Sequence, residues 1–387
     1  MGFGDQSSET ATFEVIARYD PYVLSRGEKD LPIRWRAAPL CVLAVLFVSA
    51  ILAPPPVVSA TVHPVKSELP ASCGDDGAQC TEHITFSSGF EVQAYRNFPF
   101  AGSPQITHAM IVIHGTGRNA AHYFTNLMAA ADKAGASDHT MILAPFFKTD
   151  QDKPSAKEAR WTSAGWKVGD GAEKPAGLSS FSVMDDLVTT LANKTRFPNL
   201  TRITVMGHSA GAQFTQRYAA FGIAPSLVRG ASVDFVVANP SSYVYFDQAR
   251  PTKNGTEFAV PAARNCKYNE YKYGMSDRSG YVARLTPQQA FQQYASRRIT
   301  YIQGGADTVQ NGDMDEDCGA MLQGPNRLAR GVNFYNRIRQ LAPYAPQSRI
   351  VVPAVGHDHD ELFEAPQVLP TLFGSATGSV GNVGAAG

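Results

Sequence analysis

The chain has 387 residues, 44% of them hydrophobic, and its 34 basic side chains balance its 34 acidic ones. That length is enough for one large domain with a well-buried core and does not call for a second. Balanced charge, with no basic stripe interleaved with aromatics, argues against nucleic acid or an anionic membrane surface as partner.

Residues 37–53 carry no charge, follow Arg34 and Arg36, and are followed by Pro54, Pro55 and Pro56. The run falls between a long signal-peptide core and a short membrane span, and Val58-Ser59-Ala60 offers small residues suited to cleavage. The expectation is an N-terminal tail plus export signal over 1–60, cleaved near Ala60, giving a secreted or extracytoplasmic protein. Its alternative is membrane anchoring through an uncleaved 37–53, with the polar residues before it as a cytoplasmic tail; a later translation start would account for them equally. Outside this run the cysteines are Cys73, Cys80, Cys266 and Cys318. An even number in an oxidising compartment suggests two disulfides, Cys73 with its close neighbour Cys80 and Cys266 with Cys318. Sequons at Asn193, Asn199 and Asn254 are potential glycan acceptors.

Residues 61–86 read as a cysteine-bearing linker, 87–373 as the folded domain, and 374–387, built mostly of Gly, Ala, Ser and Val, as a disordered tail. Within the domain, apolar runs rich in β-branched residues predict strands at 90–95, 109–113, 141–144, 202–206, 232–238, 299–303 and 349–353. Helical patterns predict helices at 120–134, 182–194, 210–221, 287–297 and 326–341. The alternation predicts an α/β domain, a mostly parallel sheet with helices on both faces. A tyrosine-rich stretch, 239–284, interrupts it and reads as an insertion near the carboxyl edge of the sheet. Its tyrosines either line an acyl or aryl pocket or pack a surface excursion among themselves. Trp161 and Trp166, on a loop after the 141–144 strand, pose the same choice between the active edge and the core.

Gly207-His208-Ser209-Ala210-Gly211 follows a strand and precedes a helix, the context of a nucleophile elbow, and nominates Ser209. A serine hydroxyl needs an imidazole to take its proton and a carboxylate to orient that imidazole. Asp307 lies just beyond the 299–303 strand in Gly-Gly-Ala-Asp, with Asp313, Asp315 and Asp317 as nearby rivals. His357 follows the glycine after the last strand, with His359 in reserve. The same His-x-His, flanked by Asp358 and Asp360, has the look of a metal site, but its remaining ligands are not evident in the sequence. For the oxyanion, the turn His114-Gly115-Thr116-Gly117 and the residue after the nucleophile offer backbone amides, Thr116 and Ala210, with Gly117 as alternative to Thr116. His114 reads as structural.

With those motifs in that order, residues 90–373 resemble the α/β-hydrolase superfamily, and the turn His-Gly-Thr-Gly-Arg-Asn is similar to that of a little-characterised branch of secreted hydrolases. The resemblance implies an eight-strand-type sheet, a triad of Ser209, Asp307 and His357, and cleavage of a small or polymeric carboxylic ester without cofactor. A serine at the elbow argues against dehalogenase or epoxide-hydrolase chemistry. An acyltransferase or peptidase would use the same triad, and a non-catalytic binding module would keep only the scaffold.

Overall fold

The computed structural model describes residues 80–252, 255–310 and 313–374. Two stretches, His108–Ile113 and Thr140–Pro145, are buried at every position, as strands covered on both faces must be. They are β3 and β4 of an eight-stranded sheet that also contains β1 (Thr81–Thr85), β2 (Glu91–Arg96), β5 (Arg202–His208), β6 (Ser232–Ala238), β9 (Arg298–Gly304) and β10 (Gln347–Val352). A separate two-residue ribbon, β7 (Arg250–Pro251) with β8 (Phe258–Ala259), lies in the insertion. The sheet order is β1-β2-β4-β3-β5-β6-β9-β10. β2 runs antiparallel to both of its neighbours, and every pairing from β4 to β10 is parallel.

Side chains alternate across this sheet into two apolar layers. Ala109, Ile111 and Ile113 of β3 enter one, with Phe181 of α2 (Ser180–Leu191), Phe214 and Tyr218 of α3 (Ala210–Phe221), Tyr294 of α5 (Pro287–Ser296) and Phe334 of α7 (Arg327–Leu341). Met110 and Val112 enter the other, with Phe124 and Leu127 of α1 (Ala120–Lys133), Leu362 of α8 (His359–Phe363) and Leu372 of α9 (Leu369–Phe373). Two short helices, α4 (Ala224–Leu227) and α6 (Cys318–Met321), complete the set. The mostly parallel sheet with helices on both faces is the architecture expected from the alternation, and the helix expected at 210–221 has those bounds.

Two expectations need correction. The stretch read as a linker to residue 86 contains β1, whose sequence Thr-Glu-His-Ile-Thr presents only Ile84 as a buried apolar side chain and so gives almost no alternation to read. The helix expected at 182–194 starts earlier, because Ser179 caps it by accepting the Phe181 N–H, and it ends at Leu191. The segment 37–53, Cys73, Asn254 and residues 375–387 lie outside the described residues. Among the described residues no helix is long and apolar enough to cross a membrane.

The insertion packs by its own aromatics and by buried cations. Tyr243 stacks on Phe334 at 4.4 Å between centroids, Tyr245 is fully buried, and the Arg250 guanidinium donates to the carbonyls of Tyr268 and Tyr273. Trp161 and Trp166 are likewise buried, within an aromatic layer with Phe147 and Phe214. The Cys266–Cys318 disulfide forms, Cα to Cα 5.8 Å, and closes a 52-residue separation. Loop-closure entropy makes such a crosslink worth about 4 kcal/mol. It ties the insertion to the segment that follows Asp307.

Candidate active site

Gly207, next to last in β5, lies so tightly against the next helix that a side chain is impossible there. A Cβ on Gly207 would stand 2.4 Å from the backbone carbonyl of Gly211, and one on Gly211 would stand 2.0 Å from the carbonyl oxygen of Ile113. The turn between them forces Ser209 to φ 57°, ψ −120°, a region that costs a non-glycine residue on the order of 1–3 kcal/mol. Its N–H donates to the Ala238 carbonyl at 2.9 Å, so β6 holds the strained turn in place. We expect Gly211→Ala to lower stability by about 3 kcal/mol or more, read as the denaturant midpoint. An unchanged midpoint would contradict this packing.

The acid and the base come from loops at the same sheet edge. β9 ends at Gly304, whose N–H donates to Asn239 Oδ1 at 3.0 Å, and the chain turns at once into Asp307. After β10 the chain delivers His357, whose Nδ1 lies 2.8 Å from Asp307 Oδ2. The carboxylate therefore accepts a hydrogen bond from Nδ1–H and leaves Nε2 as the acceptor. Asp307 is 2% exposed, and Arg327 at the start of α7 sets its guanidinium 3.7 Å from Oδ1. The rivals go elsewhere. Asp315 and Asp317 both pair with Lys272 and accept the Tyr273 hydroxyl, while Asp313 only lines the cleft. His359 turns away from the acid and stacks on Tyr123 at 4.0 Å.

Ser209, His357, His359, His208, Thr116, Gly117, Asn119, Tyr123 and Asp313 line a single cleft of about 450 Å³. An adjoining cavity of about 360 Å³ shares Thr116 and Asp313 and adds Lys167, Asp315 and Glu316. No tyrosine of the insertion borders the Ser209 cleft; Tyr271 and Tyr273 face a separate cavity beside the disulfide. Ala210 is the first residue of α3, so its N–H has no acceptor within the helix. Thr116 sits on the exposed turn after β3, beside Gly115, which is packed against the Tyr123 hydroxyl.

Three buried histidines, His108, His114 and His208, are held neutral. His114 is fully buried, its Nδ1–H donating to the Gly115 carbonyl at 3.0 Å and its Nε2 accepting the Phe147 N–H at 3.1 Å. Burial pushes its pKa down to about 4. His108 is pushed down to about 3, first by burial and then by the charge of Arg202. His208 is lowered well below the ordinary value by burial and by His357, and its Nδ1 contacts the Tyr123 hydroxyl at 3.2 Å. In the unfolded chain all three protonate near pH 6.5, while in the fold they stay neutral. The stability they allow is therefore complete above pH 6.5 and falls as pH drops from there toward each folded value. The slope approaches about 1.4 kcal/mol per pH unit for each histidine. Denaturant titrations at pH 7.5, 6 and 5 should show a steep fall across the last two; equal midpoints at pH 7.5 and 5 would contradict it.

No protein-family model matches the sequence. No curated protein matches it either. Solved structures do resemble the fold. A poly(3-hydroxybutyrate) depolymerase from Bordetella parapertussis is 18% identical, with a TM-score of 0.55 over 76% of this chain and 89% of that one. Poly(aspartic acid) hydrolase-1 from Sphingomonas sp. KT-1 is 21% identical, with a TM-score of 0.55 over 76% of this chain and 97% of that one. Together with the strand order, these likenesses establish the α/β-hydrolase fold.

Sequence reasoning missed Arg327, Asn239 and the Tyr123–His208 pair. Of these, only Asn239 left a trace, an asparagine directly after a strand, which suits its φ of 49°.

Proposed function

We propose that the protein is a serine hydrolase of carboxylic esters. The observation that carries this reading is the 2.8 Å bond from Asp307 to His357, in a cleft that His357 shares with a strained, glycine-flanked Ser209. In the reaction, Ser209 Oγ attacks the ester carbonyl while its proton passes to His357 Nε2, and Asp307 stabilises the imidazolium. The amides of Thr116 and Ala210, with Gly117 as alternative to Thr116, hold the oxyanion, a contribution of about 3 kcal/mol for each donor. Collapse breaks the bond to the leaving oxygen, which departs as the alcohol with the proton from His357. A water, deprotonated by His357, then attacks the acyl-enzyme, and His357 returns that proton to Ser209 Oγ as the bond breaks and the acid leaves.

The ester class is supported by the polyester depolymerase among the fold neighbours. Its polar lining favours short or hydroxylated acyl groups over long alkyl chains. The Cys266–Cys318 disulfide supports an extracytoplasmic location, and residues 37–53 supply the export signal, cleaved near Ala60.

The test is hydrolysis of p-nitrophenyl esters of graded chain length together with fluorophosphonate labelling. The expected result is turnover greatest for the short acyl groups and a label on Ser209. A folded chain that neither turns over any ester nor takes the label would leave the non-catalytic binding module as the better reading.

A further inference from the structure

Beside the Ser209 cleft, α8 begins with His359 and Asp360 and packs across the start of α1, which carries His122. The sequence brings the first two together and leaves the third 237 positions away. In the fold, His122 Nε2 lies 3.4 Å from Asp360 Oδ2, and His359 Nε2 lies 3.4 Å from Asp360 Oδ1. One ligand atom from each of the three residues falls within 4.8 Å of the others. A tetrahedral ion with bonds of about 2.1 Å holds its donor atoms about 3.4 Å apart, the separation that each histidine nitrogen keeps from one of the two Asp360 oxygens.

A second observation points the same way. His359 Nε2 and Asp360 Oδ1 are both buried atoms that make no hydrogen bond. They face each other across 3.4 Å, an imidazole nitrogen and a carboxylate oxygen, and with the Nε2 lone pair presented a cation between them satisfies both. The ring of His359 is fixed by its stack on Tyr123, with an interplanar angle of 14°, so this donor is already oriented. His122 meets the His359 ring edge-on at 5.0 Å, and its side chain is 51% exposed, which leaves an approach from solvent. Asn119 Nδ2 stands 3.5 Å from His122 Nδ1. Turning that amide over would let its oxygen accept a hydrogen bond from Nδ1–H and free the Nε2 lone pair, the outer-shell arrangement that histidine ligands use.

We propose that His122, His359 and Asp360 form a binding site for a divalent transition ion of the zinc class, with its fourth position open to water. Two imidazoles and one carboxylate suit zinc and its borderline neighbours and do not suit magnesium or calcium, which prefer oxygen ligands. The ion ties α1 to α8 and thereby fastens the loop that carries His357. The site does not depend on the esterase reading, because its ligands are distinct from Ser209, Asp307 and His357.

The test uses the untagged full chain, stripped with a chelator and titrated with zinc chloride by calorimetry and with cobalt chloride by visible absorption. The expected result is one zinc ion per chain, an intense cobalt spectrum of tetrahedral type, and an upward shift of several degrees in the unfolding midpoint on adding zinc. His122→Ala, at a half-exposed position outside the cleft, should weaken zinc binding by more than the roughly 10- to 100-fold that outer-shell changes cost. It should also abolish the shift while keeping the metal-free midpoint. His359→Gln should remove the cobalt spectrum. Wild-type chain that binds no zinc would overturn the proposal, as would binding that His122→Ala leaves undiminished or a cobalt spectrum of octahedral, water-like type.

Discussion

Ser209→Ala should lower kcat toward p-nitrophenyl acetate by on the order of 10⁶-fold and leave the folded state intact. In the proposed mechanism Oγ forms the acyl-enzyme, while the backbone strain belongs to the turn and not to the hydroxyl. The same strain separates alanine from glycine at this position. Alanine must still adopt φ 57°, whereas glycine reaches that region freely. Ser209→Gly should therefore be equally inactive and more stable than wild type by about 1 kcal/mol. Both effects are read together from initial rates and denaturant midpoints of the two variants. Ester hydrolysis surviving in either one at the wild-type rate would remove Ser209 from the chemistry, and a destabilised glycine variant would refute the claim of stored strain.

Asp307→Asn should cost about 10⁴-fold in kcat with little change in KM. An amide in place of Oδ2 no longer demands the Nδ1 proton, so His357 loses the tautomer that leaves Nε2 basic. Unlike the serine variants, this one should also lose stability, by about 3 kcal/mol, because the carboxylate lies 3.7 Å from the buried guanidinium of Arg327 and the amide brings no charge to it. Adding Arg327→Met to Asp307→Asn should recover part of the stability and none of the rate. That split distinguishes an acid that serves the histidine from one that merely neutralises an arginine. Wild-type kcat in Asp307→Asn would sink the assignment of the acid, and rate recovery in the double variant would mean that folding defects alone had lowered it.

How far the sequence reached depends on whether a feature is local. The elbow is local: Gly-His-Ser-Ala-Gly between a β-branched run and a helix needs glycines for contacts inside the same turn, at Gly207 against Gly211, and so it is readable from five residues. The parallel sheet is legible for a similar reason, since strands buried on both faces must be apolar throughout, as β3 and β4 are. β1 escaped because it lies at the sheet edge, half-exposed, with a single buried aliphatic side chain.

The sequence by itself determined the fold class and the order Ser209, Asp307, His357 along the chain, because both rest on periodicity and on motifs that close within a few residues. Only the tertiary structure decided between neighbours. It gave Asp307 and not Asp315 the bond to His357, sent His359 to Tyr123, and put the insertion's Tyr243 and Tyr245 into the core instead of the cleft. It also brought His122 from α1 to Asp360 of α8 and set Arg327 against Asp307. The physical reason is the same in each case. A candidate's type fixes what it is able to donate or accept, but which partner it meets depends on how two loops or helices distant in sequence are packed, and no local pattern records that.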